Sequence, residues 1–126
     1  MSLRSTLPRL IAALPVGLAV AFSGCGGGGS STATSAVTAN AAIPQGAPFI
    51  DQESLAFHPE KLTVKAGEKV YFQNSESSLH TVNINGKNES GNMKRREVFV
   101  WTAGAAGAYK VTCEYHPQMR ATVTVE

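Results

Sequence analysis

The last twenty residues decide the fold: Gly107-Ala108-Tyr109-Lys110-Val111-Thr112-Cys113-Glu114-Tyr115-His116-Pro117-Gln118-Met119-Arg120-Ala121-Thr122-Val123-Thr124-Val125-Glu126. Tyr109 to Cys113 and Ala121 to Val125 are short β-branched and aromatic runs with a period of two, the mark of half-buried strands. Between them Cys113, His116 and Met119 stand at the spacing C-x2-H-x2-M. A loop between two strands can fold back so that thiolate, imidazole and thioether converge on one ion. Pro117 fixes φ beside His116 and lowers the entropy cost of holding that shape.

Upstream the same period persists, and helical spacing is hard to find. Leu62 to Lys65 runs into the turn Ala66-Gly67-Glu68 and then Lys69 to Asn74. His80 to Ile84 is followed by Asn85-Gly86, a strong hairpin signal. Val98 to Trp101 meets a Gly/Ala turn over residues 103–107. Short strands at regular intervals predict an all-β sandwich in one small domain over residues 44–126, with Trp101 and Tyr109 in its core.

The first residues read differently. Arg4 and Arg9 precede the apolar run Ile11 to Phe22, which is short for a membrane span, and the run ends at Phe22-Ser23-Gly24-Cys25. Residues 1–24 are expected to be an export signal that resembles a lipoprotein signal, with Cys25 the candidate acylated residue. Residues 25–43, rich in Gly, Ser, Thr and Ala, cannot bury a core and are expected to be a flexible tether. The expected setting is outside the cytoplasm, in a periplasm or at a cell surface, with the membrane reached through the lipid anchor.

Every acidic residue lies from Asp51 onward, and nine Lys and Arg follow Cys25 against nine Asp and Glu. A near-neutral domain gives no reason to expect nucleic-acid binding, and Lys94-Arg95-Arg96 is too short a run to supply one. That run is expected to be solvated surface, as is His58.

Cysteine use points to a metal. The chain has two, Cys25 and Cys113, and if Cys25 is acylated then Cys113 is a lone thiol in an exported protein. A trigonal set of two His and one Cys with a weak axial Met is the donor choice of a blue-copper centre. The second imidazole must come from elsewhere; His80, which opens a predicted strand after the polar loop from Asn74 to Leu79, is a candidate, though spacing alone does not show that the two loops share an end of the sandwich.

Phe57-His58-Pro59, Leu62-Thr63-Val64-Lys65-Ala66-Gly67, Val70-x-Phe72-x-Asn74, His80-Thr81-Val82 and Gly107-x-Tyr109-x3-Cys113-x2-His116-Pro117-x-Met119 resemble the plastocyanin and amicyanin branch of the cupredoxins. The resemblance covers nearly all of the domain, in order. It implies an antiparallel Greek-key sandwich and one type I copper ion held by His80, Cys113, His116 and Met119. It also implies binding through Nδ1 of both His, and an electron port at His116 within an apolar patch to which Pro117 contributes. The family often has Asn directly after the first His, where this chain has Thr81. The acidic docking patch of plant plastocyanins has no counterpart.

The expected function is one-electron transfer between extracytoplasmic redox proteins, by a monomer that is not an enzyme. The alternative is copper carriage or storage without redox turnover, which predicts an open cluster of Met or His; Met1 and Met93 are the only other methionines. A copper nitrite reductase needs further His ligands and only His58 is left unassigned. A dinuclear centre needs two bridging Cys. Zinc would waste the Met.

Overall fold

Ten short strands carry the chain in the computed structural model, which describes residues 37–126. The expected export signal and Cys25 lie outside the described residues. The strands are β1 (Thr38–Ala39), β2 (Phe49–Glu53), β3 (Ala56–His58), β4 (Lys61–Val64) and β5 (Lys69–Asn74). They continue with β6 (Asn83–Ile84), β7 (Lys87–Asn88), β8 (Glu97–Thr102), β9 (Gly107–Thr112) and β10 (Arg120–Val125). Two five-stranded sheets form, ordered β1-β8-β5-β2-β3 and β4-β10-β9-β6-β7.

Alternation makes the sandwich. In β5, Val70, Phe72 and Asn74 are buried while Lys69 is exposed; in β10, Ala121, Val123 and Val125 are buried between exposed Arg120 and Thr124. The inward sets meet in a core that includes Ile50, Phe57, Phe72, Val82, Phe99, Val111 and Val123. The Phe72 and Phe99 rings lie 6.0 Å apart. Each such side chain, fully buried, contributes about 1.5–3 kcal/mol. Trp101 and Tyr109 are half-buried and pack edge to face against the core's margin, with centroids 5.0 Å apart.

The predicted strands are all present, with one adjustment. Pairing in the strand expected over His80 to Ile84 begins at Asn83, and His80 instead makes an isolated bridge to Met93. Asn85 and Gly86 both take positive φ, at 49° and 85°, as the tight β6–β7 hairpin requires. Two pairs run parallel, β2 with β5 and β4 with β10. Sheet pairing also starts inside the stretch read as tether: Thr38 and Ala39 face Val98 and Glu97 across β8.

The topology gathers the sites at one end. β5 ends at Asn74, β9 ends at Thr112, β10 begins at Arg120 and β6 begins at Asn83. Thr112 pairs with both Arg120 and Asn83. One register step outward from those pairs come Cys113, Met119 and the segment leading back to His80.

Candidate metal centre

His80, Cys113 and His116 bring one donor atom each to a common point. Cys113 Sγ lies 3.8 Å from His80 Nδ1 and 3.7 Å from His116 Nδ1, and the two Nδ1 atoms are 3.2 Å apart. A point equidistant from three atoms so spaced lies roughly 2.1 Å from each, close to ordinary metal–imidazole and metal–thiolate lengths. His80 and Cys113 are buried and His116 is half-buried. Met119 is fully buried, and its amide donates to the His116 carbonyl at 2.9 Å, closing the loop between the two residues.

The protonation logic explains why these atoms face one another. His80 Nε2 lies 2.5 Å from Glu76 Oε1. An ionised carboxylate only accepts, so the ring proton belongs on Nε2 and Nδ1 is left with its lone pair. Burial holds the His80 imidazole below its ordinary pKa and outweighs the pull of the Glu76 carboxylate in the other direction; the neighbouring His116 also lowers it. A neutral imidazole lone pair, a second imidazole and a thiol sulfur therefore converge on one point. Such a donor set suits a cation, and its mixture of sulfur and imidazole suits copper.

Local sequence fixes each donor. Asn74, fully buried at the end of β5, donates from Nδ2 to the Ser78 carbonyl at 2.7 Å and to the Met93 carbonyl at 2.8 Å. Its Oδ1 accepts from the Glu76 amide at 3.0 Å. One side chain thus shapes the polar loop before His80. Met93 and His80 then exchange both backbone hydrogen bonds, at 2.8 and 3.2 Å. Below them, Gln52 Nε2 donates to the Thr81 carbonyl at 3.4 Å.

Thr81 joins the two donor segments. Its amide donates to Cys113 Sγ at 3.5 Å, and its Oγ1 accepts from the Glu114 amide at 2.9 Å. Threonine thereby bridges the segments from the place where the resemblance leads one to expect Asn. Glu114 reinforces the bridge, because its carboxylate accepts from Asn83 Nδ2 at 3.4 Å and Asn88 Nδ2 at 3.2 Å.

All four residues named from the sequence thus lie at one end of the sandwich, three of them in direct mutual contact. His58 is exposed on β3, and Lys94, Arg95 and Arg96 are exposed, as expected. The sequence reading missed Glu76, Asn74, the backbone of Met93 and the hydroxyl of Thr81. Glu76 left one trace, a carboxylate four residues before the imidazole. Among the exposed residues, Tyr115 (48% accessible) leans its ring on His116 at a centroid distance of 6.5 Å and donates its hydroxyl to Asn92 Oδ1 at 2.7 Å. Pro117 is exposed beside it.

Comparison with known proteins agrees with this geometry. The Cupredoxin-like domain family matches residues 29–125. The chain is 32% identical to amicyanin of Paracoccus versutus over 128 aligned positions, covering 96% of each sequence. The crystal structure of amicyanin from that organism superposes with a TM-score of 0.66 at 31% identity, covering 71% of this chain and 91% of that one. A copper(I) form of an amicyanin variant gives a TM-score of 0.65 at 28% identity, covering 73% and 93%. An oxidised form of another amicyanin variant gives 0.67 at 28% identity with the same coverage. Fold, donor geometry and sequence likeness converge: the chain belongs to the cupredoxin-like family.

Proposed function

We propose that this chain is a type I copper protein that carries single electrons, with His80, Cys113 and His116 as the trigonal donors and Met119 as the weak axial one. The observation that carries the reading is the triangle of Sγ and two Nδ1 atoms, each side between 3.2 and 3.8 Å. Copper, when bound, supplies a one-electron Cu(I)/Cu(II) couple. The chain's own residues keep the donors still. Thr81 holds the cysteine segment to the histidine segment, Glu76 fixes the His80 ring, and the Met93 backbone fixes its main chain. A donor set that moves little between oxidation states needs little reorganisation. His116, half-buried between Tyr115 and Pro117, is the port through which the electron enters or leaves.

The partners are redox proteins outside the cytoplasm. Cys25 tethers the domain to a membrane as a lipid-modified residue, residues 1–24 being the export signal. These assignments rest on the sequence pattern of Arg4, Arg9, the run from Ile11 to Phe22 and the small residues before Cys25. The monomer acts without substrate turnover.

The test is an absorption spectrum of the purified domain after addition of Cu(II), followed by voltammetry. Intense blue absorption with a reversible one-electron wave is expected. A colourless protein that passes Cu(I) to a chelator without redox change would instead make it a copper-handling protein. For the anchor, Cys25→Ser in the full chain should move the protein from the membrane fraction to the soluble one; an unchanged distribution removes the lipid from Cys25.

A further inference from the structure

The outer face of the second sheet is basic, and it reaches the segment that carries Cys113. Outward positions alternate along its strands: Lys61 and Thr63 on β4, Arg120, Thr122 and Thr124 on β10, Ala108, Lys110 and Thr112 on β9. Register places Lys61, Thr122 and Lys110 in one row across three strands, and Arg120 beside Thr112 in the next. No carboxylate occupies an outward position on these three strands. None of Lys61, Lys110 and Arg120 forms an ion pair among the described residues. Glu114 borders this face with its negative charge, its carboxylate accepting from Asn83 and Asn88 on the side away from β10 and β4 in strand order.

The same face is concave. A hollow of about 530 Å³ lies over β9 and β10, lined by Lys110, Thr112, Cys113, Pro117, Arg120 and Thr122 among others. Arg120 is oriented there by donating from Nε to the Pro117 carbonyl at 3.2 Å. A water occupies roughly 30 Å³ in the liquid, so the hollow has room for a protein side chain as well as a small ion. Lys61 and Lys110 stand two strands apart, roughly 10 Å between backbones.

We infer that this face docks an acidic surface of a redox partner, which inserts one carboxylate between Lys110 and Arg120 and sets another against Lys61. A guanidinium is well suited to carboxylate recognition, and two threonine hydroxyls flank it. A lipid headgroup layer fits less well. Polybasic membrane binding takes clusters of about four to eight cations in one run, whereas here two cations line a concavity and a third, Lys61, stands on the neighbouring strand. The inference rests on the electron-carrier reading, because Cys113 is among the residues that line the hollow. Pro117 belongs both to this hollow and to the rim around His116, whereas Tyr115 and His116 do not line the hollow. A one-electron-accepting metalloprotein docked there would be reduced as Cu(I) is oxidised to Cu(II), one electron crossing.

The test uses copper(I)-loaded protein, labelled with ¹⁵N and titrated with a hexaglutamate peptide, beside inorganic phosphate and anionic phosphatidylglycerol vesicles. Expected are salt-sensitive amide shifts centred on residues 61, 110–112 and 120–122. The double variant Lys61→Glu/Lys110→Glu should weaken the peptide about tenfold or more, since two attractions become repulsions. Lys94→Glu/Arg95→Glu should leave it within about twofold. Shifts centred on residues 94–96, an unaffected charge-reversal variant, or tighter binding to phosphate or vesicles than to the peptide would each overturn the proposal. The visible spectrum of the Cu(II) form separates the two ideas. A colourless protein removes the carrier reading whatever the peptide does; a blue protein indifferent to the peptide removes the docking surface alone.

Discussion

Thr81 grips the junction between Cys113 and Glu114 from two sides: its amide donates to Cys113 Sγ at 3.5 Å, and its hydroxyl accepts from the Glu114 amide at 2.9 Å. The two segments are 32 residues apart in sequence, and this contact joins them beside the donors, next to the ladder pair Asn83–Thr112. Thr81→Val keeps the shape but leaves the Glu114 amide without its acceptor. A loss of about 1–3 kcal/mol is expected, read as a lower melting temperature of the copper-loaded domain, while Thr81→Ser should recover most of it. Equal melting temperatures for wild type and Thr81→Val would show that the bridge contributes nothing.

Glu76 takes the proton-bearing nitrogen of His80 and so sets both the tautomer and the basicity of the ring. Glu76→Ala should weaken copper binding by about 10–100-fold and raise the reduction potential, since a less basic imidazole stabilises Cu(II) less. Glu76→Gln retains an acceptor without the charge and should fall between. Competition titration against a copper chelator, paired with voltammetry, measures both; a potential unmoved in Glu76→Ala would reduce the contact to packing.

Cys113 is the buried free thiol among the described residues. Cys113→Ser should abolish the intense visible absorption while leaving far-ultraviolet circular dichroism unchanged, because serine is close to cysteine in size. Colour retained in that variant would remove Cys113 from the centre.

Met119 is completely buried at the opening of β10. Met119→Leu conserves volume and should cost less than about 1.5 kcal/mol. Loss of the thioether disfavours Cu(II), so the reduction potential should rise. A variant with an unchanged potential would make Met119 a core residue and nothing more.

The sequence was most legible where local chemistry agrees with the fold. Val70, Phe72 and Asn74 alternate with exposed or half-buried neighbours and fall where a strand needs them, and Asn85-Gly86 supplies the positive φ of a tight hairpin. The donors Cys113, His116 and Met119 sit within one loop, so their spacing was visible. His80 needed the resemblance, because nothing local shows which strand ends share an end of a sandwich. The short strands β1, β2, β3 and β7 escaped notice. β1 and β7 are two residues each and lack an apolar period, while β2 carries the charges of Asp51 and Glu53 outside buried Ile50 and Gln52. The pinning network was illegible for another reason. Threonine and glutamate side chains bond wherever three-dimensional neighbours allow, and those neighbours come from residues about 30 apart.

The pairing of Thr112 with Arg120 has a consequence for how such a protein can diversify. The seven residues from Cys113 to Met119 start and stop at a fixed rung of the ladder, and Tyr115 and Gln118 are exposed on it. They form a cassette whose visible positions can be exchanged without re-registering either strand. Affinity for a new reaction partner can therefore drift at those positions while the inner half of the cassette goes on holding the same ion.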